Sequence, residues 1–557
     1  MPEASRELRF QGVGLDFSIQ KIKGKISMKI TLVAPTPPDV SAFGVRALSA
    51  YLKRHGKDVR LVLIPGGVEK FKHTVGFRYQ YEEHILRQVV ELCKGSDLVG
   101  ISFMSNYLDR AMQLSKAIKG EVKAPLVLGG IHPSVMPEEC LKFADIVCVG
   151  EGEEALLELV ERIEQKRDYT DIGNLWVKKD GKVVRNPLRP LIHNLDTLPH
   201  YDFVMEDHYI YDNVTRRMEP MSKELLKRAF PLEPHVEGSF SDSYKRTLSY
   251  KTMTTRGCPH HCTFCAEKAM ADMYSGQKYL RKRSAAHVME ELQWVKKEMP
   301  FVESIFLFDD TFLGRPTEEI KEFARIYKQM VGLPFHIQAS PGTVNEEKME
   351  ALLDAGLAFV EMGIQSTSNT AKELYKRKVS ADTILRAANI FHKYRGRIYP
   401  PCYHVILDNP WESSQDVVET VRLILKIPAP FWLKRSSLVC FPGTELYHLA
   451  KKDGIIKNEE DEQSEIYSKH LHMPKGTYVN FLMYLTGFSR FPRWVIKLMC
   501  NDVIVKLLDR KHLNKIYAWL NREGEFLIIL YKGLKSLLTG DFTRIYRYFI
   551  RTVSKTS

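Results

Sequence analysis

The stretch 256–265, RGCPHHCTFC, places Cys258, Cys262 and Cys265 within eight residues of a 557-residue chain that has only nine cysteines. Thiolates are soft ligands and suit iron-sulfur clusters or zinc. Three of them with no fourth at a matching local spacing leave two readings open. A cubane cluster held by three cysteines keeps one iron free for a substrate or cofactor, whereas structural zinc needs a fourth ligand. His260 or His261, inside the same loop, could supply that ligand. The other cysteines, Cys93, Cys140, Cys148, Cys402, Cys440 and Cys500, lack cluster spacing and read as small buried apolar residues.

Outward from the thiols the chain alternates apolar strands with amphipathic helices. KTMTTRG (251–257), SIFLFDD (304–310), PFHIQAS (334–340), FVEMGIQS (359–366), CYHVILD (402–408) and WLKRSSLV (432–439) read as strands. AAHVMEELQWVKKE (285–298), PTEEIKEFARIYKQM (316–330) and ADTILRAANIFHKY (381–394) carry helical spacing. Six such βα units predict a partial (β/α)6 barrel of the TIM type, with its chemistry at the carboxyl ends of the strands. The three thiols directly follow the first of these strands.

The C-x3-C-x2-C spacing, with Phe264 before the last cysteine, resembles the signature of the radical S-adenosylmethionine (radical SAM) superfamily. The resemblance implies a 4Fe-4S cluster on Cys258, Cys262 and Cys265 whose open iron takes S-adenosylmethionine, and cleavage of that donor to a 5′-deoxyadenosyl radical. Asp309 and Asp310 end the second barrel strand, where members hold the amino group of the donor, although the commoner Gly-Gly-Glu is absent; as plain sequence the two acids could instead cap the next helix. EMGIQS (361–366) resembles the segment near the ribose and methionine, which makes Glu361, Gln365 and Ser366 candidates, with Arg377 as a carboxylate partner. In VILDNPWES (405–413) Asp408, Asn409 and Trp411 stand where many relatives have small residues, and Glu412 is retained. FPGTELY (441–447) reads as structural.

Residues 29–165 form a separate series. KITLVAP, DVRLVLIP, DLVGISF, PLVLGG and DIVCVGEGE read as five strands separated by helices, predicting a parallel, doubly wound sheet with ligands at its carboxyl ends. Those ends are rich in Gly, Ser and Pro, which is also ordinary turn chemistry. Together with the thiol motif, GGIHPSVMPEE (129–139) and DIVCVGEGEEAL (145–156) resemble the cobalamin-binding class of the radical SAM superfamily, with a flavodoxin-like first domain. The resemblance implies that Ser102, Ser105, Gly129, Gly130, His132, Gly150, Glu151 and Gly152 line a cobalamin surface. The loop APTPPDVSAFG (34–44) contains no histidine, so no Asp-x-His-x-x-Gly cobalt ligand is present there. His132 follows the fourth strand, where it reads equally as a contact to the nucleotide tail or as a structural hydrogen bonder.

The expected organisation is an arm (1–28), the cobalamin-binding domain (29–165), a connector (166–250) with a hairpin at Asp180-Gly181, the radical SAM core (251–470) and a basic helical C-terminal region (471–557). Residues 487–557 hold 14 Lys and Arg against 5 Asp and Glu, so this segment carries +9 of the net +13. It mixes Trp, Tyr and aliphatics with cations. Such helices either cap the barrel or lie on an anionic membrane surface. No run reaches the roughly 18 apolar residues of a spanning helix, residues 526–531 (FLIILY) being the longest apolar piece of this tail. No secretion signal is evident, and cysteine usage suits a reducing cytoplasm. No recognised nucleic-acid-binding fold accompanies the charge. The two resemblances together imply an enzyme that methylates an unactivated carbon of a small or lipid-like substrate, with a one-electron donor such as flavodoxin or ferredoxin. Cyclisation or oxidation without methyl transfer is the alternative chemistry, and a non-catalytic cobalamin sensor the alternative class.

Overall fold

The structure, a computed structural model, describes residues 28–35, 40–65, 70–72, 78–233, 247–459, 461–462, 474–488 and 491–521. The expectations for the N-terminal arm, for residues 36–39 of the first loop and for FLIILY lie outside them.

The first sheet is built on five parallel strands, β1 (Lys29–Pro35), β2 (Asp58–Ile64), β3 (Leu98–Ser102), β4 (Leu126–Gly129) and β5 (Ile146–Cys148), in spatial order β2-β1-β3-β4-β5. That is the flavodoxin-like order. Ile30, Leu32, Val33 and Ala34 of β1 are all buried, because helices cover both faces of a parallel sheet and leave no solvent side. The main helices are α1 (Phe43–Arg54), α2 (Glu83–Cys93), α3 (Leu108–Glu121) and α4 (Glu153–Glu164). On α2 the buried residues Ile85, Val89, Val90 and Cys93 form one stripe at helical spacing.

Residues of the connector extend this sheet at both edges. The hairpin Leu175–Lys179 and Lys182–Arg185 pairs antiparallel beside β5, and Tyr209–Asp212 runs parallel to β2 with Arg217–Pro220 outside it. A segment with no legible chemistry is thus sheet, and its alternating pattern is short because edge strands bury little.

The second sheet is parallel and sequential: β6 (Thr247–Thr252), β7 (Ser304–Leu307), β8 (Phe335–Ala339), β9 (Leu357–Gln365), β10 (Cys402–Leu407) and β11 (Trp432–Ser437), with Leu232–Glu233 antiparallel on the β6 edge. It curls into a half-barrel. Its principal helices are α5 (Ala266–Met273), α6 (Ala285–Glu298), α7 (Thr317–Met330), α8 (Glu346–Asp354), α9 (Ala381–Lys393), α10 (Ser414–Ile424) and α11 (Glu445–Lys452). Most open on a polar cap: Ser284, Asn345, Ser380, Ser413 and Thr444 each accept a backbone N–H of the first turn. Ser413 and Asp416 form a reciprocal capping box.

One strand differs from the sequence reading. β6 begins at Thr247, not Lys251, and ends at Thr252; Thr255–Arg256 leaves the sheet to pair with Arg281–Lys282. Leu248 and Tyr250 supply the buried side chains of β6, whereas Arg256 is drawn out by the ion pairs described below.

The C-terminal helices α12 (Tyr478–Thr486), α13 (Arg493–Met499) and α14 (Asp502–Leu508) cap the last units. α12 packs on α10, and the Arg435 guanidinium lies 4.5 Å from the Tyr484 ring centre. Among the described residues no helix is long and apolar enough to cross a membrane.

Candidate active site between two sheet rims

The thiol loop runs from the end of β6 to the start of α5. Gly257 needs its positive φ of 91°, and a Cβ there would lie 2.8 Å from the Tyr279 carbonyl oxygen. Cys265 is the residue just before α5, and its N–H donates to the Cys262 carbonyl at 3.0 Å. Thr263 pins the loop from behind, its hydroxyl donating to the Leu374 carbonyl at 2.7 Å and its own carbonyl accepting from Leu446 N–H. Phe264 packs edge-on against Tyr375 at 4.9 Å between ring centres, so its role is to seat the loop.

Two features bear on a cluster held by these thiols. Burial pushes Cys258 up to about 11 and Cys265 up to about 12, so both stay neutral until a metal displaces the proton. Arg377 places Nη1 3.7 Å from Cys262 Sγ and is steadied by Gly363 O at 2.9 Å and Ser340 Oγ at 3.3 Å.

The two acids at the end of β7 separate cleanly. Asp309 is fully buried, and its carboxylate accepts from Thr254 N–H at 2.6 Å, Thr255 N–H at 3.0 Å, the Thr254 hydroxyl and Arg315 Nη1 at 3.3 Å. It braces the turn after β6, which corrects its reading as a ligand group. Asp310 is exposed at the rim. Its carboxyl is pushed up to about 7, first by desolvation and then by Glu267 and Asp309.

On β9 the candidates also divide. Gln365 closes the strand with φ 69°, and its Nε2 would lie 2.6 Å from a Cβ at position 363, which explains Gly363. Ser366 donates to Glu412 Oε1 at 2.7 Å, and Ser368 joins the same oxygen at 2.6 Å. Glu361 lies four residues deeper in the strand, buried, 3.4 Å from Gln338 Nε2 and 3.5 Å from His404 Nε2. Desolvation raises its carboxyl above the ordinary range, with Lys434 opposing. Glu361 therefore belongs to the barrel lumen, not to the strand-end rim where it was expected.

The unusual Asp408-Asn409-Trp411 stretch is explained by the C-terminal helices. Asp408 accepts from Asn480 Nδ2 at 2.8 Å, Lys475 N–H at 2.9 Å and the Ser437 hydroxyl. Asn409 Oδ1 accepts Trp411 N–H at 3.1 Å, and Trp411 Nε1 reaches Asp453 at 2.8 Å. Asp408 thus fastens α12 to the rim of β10, and Trp411 ties the same rim to Asp453 at the end of α11.

In the first domain the predicted loops lie side by side. Gly130 has φ 101°, and a Cβ would sit 2.6 Å from the Phe103 carbonyl oxygen and 3.0 Å from Ser102 Oγ. Ser134 Oγ links the β4 and β5 loops, donating to Gly130 O at 2.8 Å and accepting Gly150 N–H at 3.0 Å. Gly129 and Gly152 meet only Cys148 and Leu48 side chains. His132 is fully buried, with Nδ1 3.0 Å from Ser105 Oγ and Nε2 3.3 Å from Glu139 Oε2. It and Ser105 thus form a buried hydrogen-bonded pair, the structural one of the two readings of His132. Low loops of small residues fit a flat macrocycle, and the buried His132 presents no nitrogen to a metal.

The largest departure concerns Glu151. It is not a loop-lining side chain but the hub of a junction between the domains. Arg256, two residues before Cys258, pairs with Glu151 at 2.9 Å and Glu153 at 2.5 Å, and Arg281 reaches Glu151 at 2.9 Å. Burial alone would raise the Glu153 carboxyl, but Arg256 overrides it and holds the group below the ordinary carboxylate value. Tyr274 Oη accepts Glu151 N–H at 3.1 Å and occupies the space of a Cβ at Gly150, only 2.0 Å away. Val135 fills the corresponding space at Gly443, and Phe43 lies 6.0 Å from Phe308. The carboxyl rims of the two sheets therefore face one another. Tyr274 and Arg281 carried no signal in the sequence; Arg256 did, as a cation directly before the thiol motif.

Comparison with known proteins agrees with this geometry. Residues 252–424 match the Radical SAM superfamily and residues 30–160 the B12 binding domain. An uncharacterized methyltransferase of Pyrococcus horikoshii is 26% identical over 65% of this chain and 70% of its own length. The anaerobic magnesium-protoporphyrin IX monomethyl ester cyclase of Rubrivivax gelatinosus is 24% identical over 59% of this chain, which spans only 54% of the cyclase. The cobalamin-dependent S-adenosylmethionine radical enzyme OxsB, solved with aqua-cobalamin bound, superimposes with a TM-score of 0.61 at 14% identity, covering 92% of this chain and 81% of OxsB. With both domains matched in this order and their rims opposed, the chain joins a B12 binding domain to a Radical SAM superfamily domain, a pairing that implies a 4Fe-4S cluster, S-adenosylmethionine and cobalamin.

Proposed function

We propose that the protein methylates an unactivated carbon of a small or lipid-like biosynthetic substrate. The observation that carries this reading is the opposition of the two rims across the Glu151, Glu153 and Arg256 junction, which gives both cofactors one shared cleft. When bound, the cluster and S-adenosylmethionine supply a radical that removes a hydrogen atom, and cobalamin supplies the methyl group.

The chain's own residues take the following parts. Cys258, Cys262 and Cys265 hold the cluster. Asp310 attracts the amino group of S-adenosylmethionine, and Arg377, whose buried Nε has no hydrogen-bond partner, takes its carboxylate. Gln365 and Ser366 order the β9 end beneath it. Ser102, Gly129, Gly130, Gly150 and Gly152 keep the opposite wall low. The ion-paired junction and the Phe43–Phe308 contact exclude water from the side of the cleft. The units are taken as 29–165, 166–250, 251–470 and 471–557, in a cytoplasmic enzyme served by a one-electron donor such as flavodoxin or ferredoxin. Peripheral membrane contact through the basic C-terminal region is a separate reading that does not depend on methyl transfer.

The test is anaerobic turnover of protein reconstituted with hydroxocobalamin, with reductant and excess S-adenosylmethionine, so that every methyl group transferred comes from S-adenosylmethionine. Methyl transfer yields 5′-deoxyadenosine and S-adenosylhomocysteine together. 5′-Deoxyadenosine without S-adenosylhomocysteine would remove methyl transfer and favour the cyclase or oxidoreductase reading, which the 24% identical cyclase supports.

A further inference from the structure

Twelve large hydrophobic side chains are exposed among the described residues, and six of them, Trp494, Leu498, Val503, Leu507, Ile516 and Trp519, fall in one short segment near the C-terminal end of the described chain. Exposed singly such residues need no explanation, but a contiguous group marks an interaction surface. The spacing is regular. Trp494 and Leu498 are four apart on α13, Val503 and Leu507 four apart on α14, and Ile516 and Trp519 three apart beyond it, so each pair shares one helix face.

The opposite faces of the same helices are already used. Ile496, Cys500, Val505 and Tyr517 are buried against the rest of the C-terminal unit, with Tyr517 stacked on Phe481 and tilted against Tyr478. A helix apolar on both sides is normally enclosed. Here the inner side meets the protein and the outer side meets solvent, with exposures from 51% at Ile516 to 73% at Val503.

Charge selects what could cover that outer side. Lys497, Lys506, Arg510, Lys511 and Lys515 are exposed around it. The acids are spoken for: Asp502 pairs with Arg422 at 3.0 Å, and Asp509 accepts Tyr478 N–H at 3.2 Å and the Ser414 hydroxyl. An apolar ridge carrying two tryptophans and rimmed by cations matches an anionic bilayer surface, where aliphatics enter the acyl boundary, indole rings sit at headgroup depth and cations meet lipid phosphates.

We propose that the outward face of α13, α14 and residues 511–519 docks this protein on anionic membranes, and that its substrate is a membrane-resident lipid. The substrate class rests on the methyl-transfer reading; the docking surface does not. Placement supports the link between them. α12 is bound through Asn480 to Asp408 at the carboxyl end of β10, and β11 is the last strand of the half-barrel. α14 is tied to α10 through Asp509 and Ser414 and through Asp502 and Arg422, so the ridge is carried by helices fastened to the last units of the half-barrel.

The test is flotation of the full-length holoenzyme with vesicles of phosphatidylcholine containing a minority of phosphatidylglycerol, against phosphatidylcholine alone. The wild-type protein floats with the anionic vesicles, and binding weakens as salt rises from about 0.1 M to 1 M, where screening shortens from about 10 Å to 3 Å. Trp494→Ser with Trp519→Ser lowers affinity about tenfold or more, and Lys497→Glu with Lys515→Glu lowers it by a similar factor. All four side chains point to solvent, so circular dichroism and the visible absorption of the cluster stay unchanged. Failure of the wild type to float, or flotation that neither double variant weakens, overturns the docking surface. So does a dimer in light scattering that both variants dissolve while no flotation occurs, which assigns the ridge to a second copy. Flotation without S-adenosylhomocysteine formation leaves the docking surface standing and removes the methyl-transfer reading alone.

Discussion

Replacing Arg256 by Met tests whether the ion-paired junction holds the two rims together. In the native protein its guanidinium serves Glu151 at 2.9 Å and Glu153 at 2.5 Å. Glu151 keeps Arg281 after the replacement, but Glu153, with only 5% of its side chain accessible, loses its cation. Stranding one member of a buried pair costs about 3–5 kcal/mol. Because 27% of the Arg256 side chain reaches water, the low end applies, about 3 kcal/mol. The domains keep their own cores, so the loss appears as opening of the junction and not as global unfolding. Amide hydrogen exchange at residues 150–153 and 255–257 should quicken about 150-fold at neutral pH.

The sign of the pH dependence follows from Glu153. In the native protein its carboxyl is held low, so its contribution is present above the unfolded value and fades as pH falls. In the variant burial is opposed only by Arg281 and a backbone hydrogen bond, so the carboxyl moves up and the penalty grows as pH rises. The gap between the two proteins should therefore narrow on acidification. Adding Glu153→Gln to Arg256→Met should restore protection by at least about 1 kcal/mol relative to additivity. Unchanged exchange in the single variant, or strict additivity in the double, refutes the junction as the element that aligns the rims.

Further outcomes follow from other parts of the site. Cys258→Ala or Cys265→Ala should abolish iron binding and 5′-deoxyadenosine formation while leaving the circular dichroism spectrum intact, checked by iron content and chromatography. Desolvation, with Glu267 and Asp309, pushes Asp310 up to about 7, so affinity for S-adenosylmethionine should rise as pH climbs through that value and the carboxylate forms. In Asp310→Asn calorimetry should show about tenfold weaker binding and no such rise. Gly150→Ala puts a Cβ 2.0 Å from Tyr274 Oη at a φ of 82°, and should destabilise by about 2–4 kcal/mol in urea unfolding. With Tyr274→Ala added the two changes should cost less than their sum, because the clash is gone while the lost ring and the left-handed backbone cost of about 1–2 kcal/mol remain. Asp408→Ala removes the two hydrogen bonds from Lys475 and Asn480 that fasten α12, with that from Ser437 of β11, and limited proteolysis should then cut near residue 475 sooner than in the native protein.

What the sequence determined alone was whatever depends on local periodicity and spacing. Runs such as KITLVAP and the capped helices of the half-barrel follow from neighbours in the chain, as does the single-loop arrangement of Cys258, Cys262 and Cys265, because three thiols on eight residues cannot be far apart. Tertiary structure alone decided which polar residues face a ligand and which face protein. Asp309 and Asp310 are adjacent and chemically identical, yet one is enclosed by Thr254, Thr255 and Arg315 and the other stands at the rim. His132 and Glu151 sit on loops of the expected kind, but Ser105, and the pair Arg256 and Arg281, reach them from 27 to 130 positions away. A side chain's role is fixed by the field and hydrogen bonds of whatever folds against it, and those partners are set by long-range packing that no local pattern encodes.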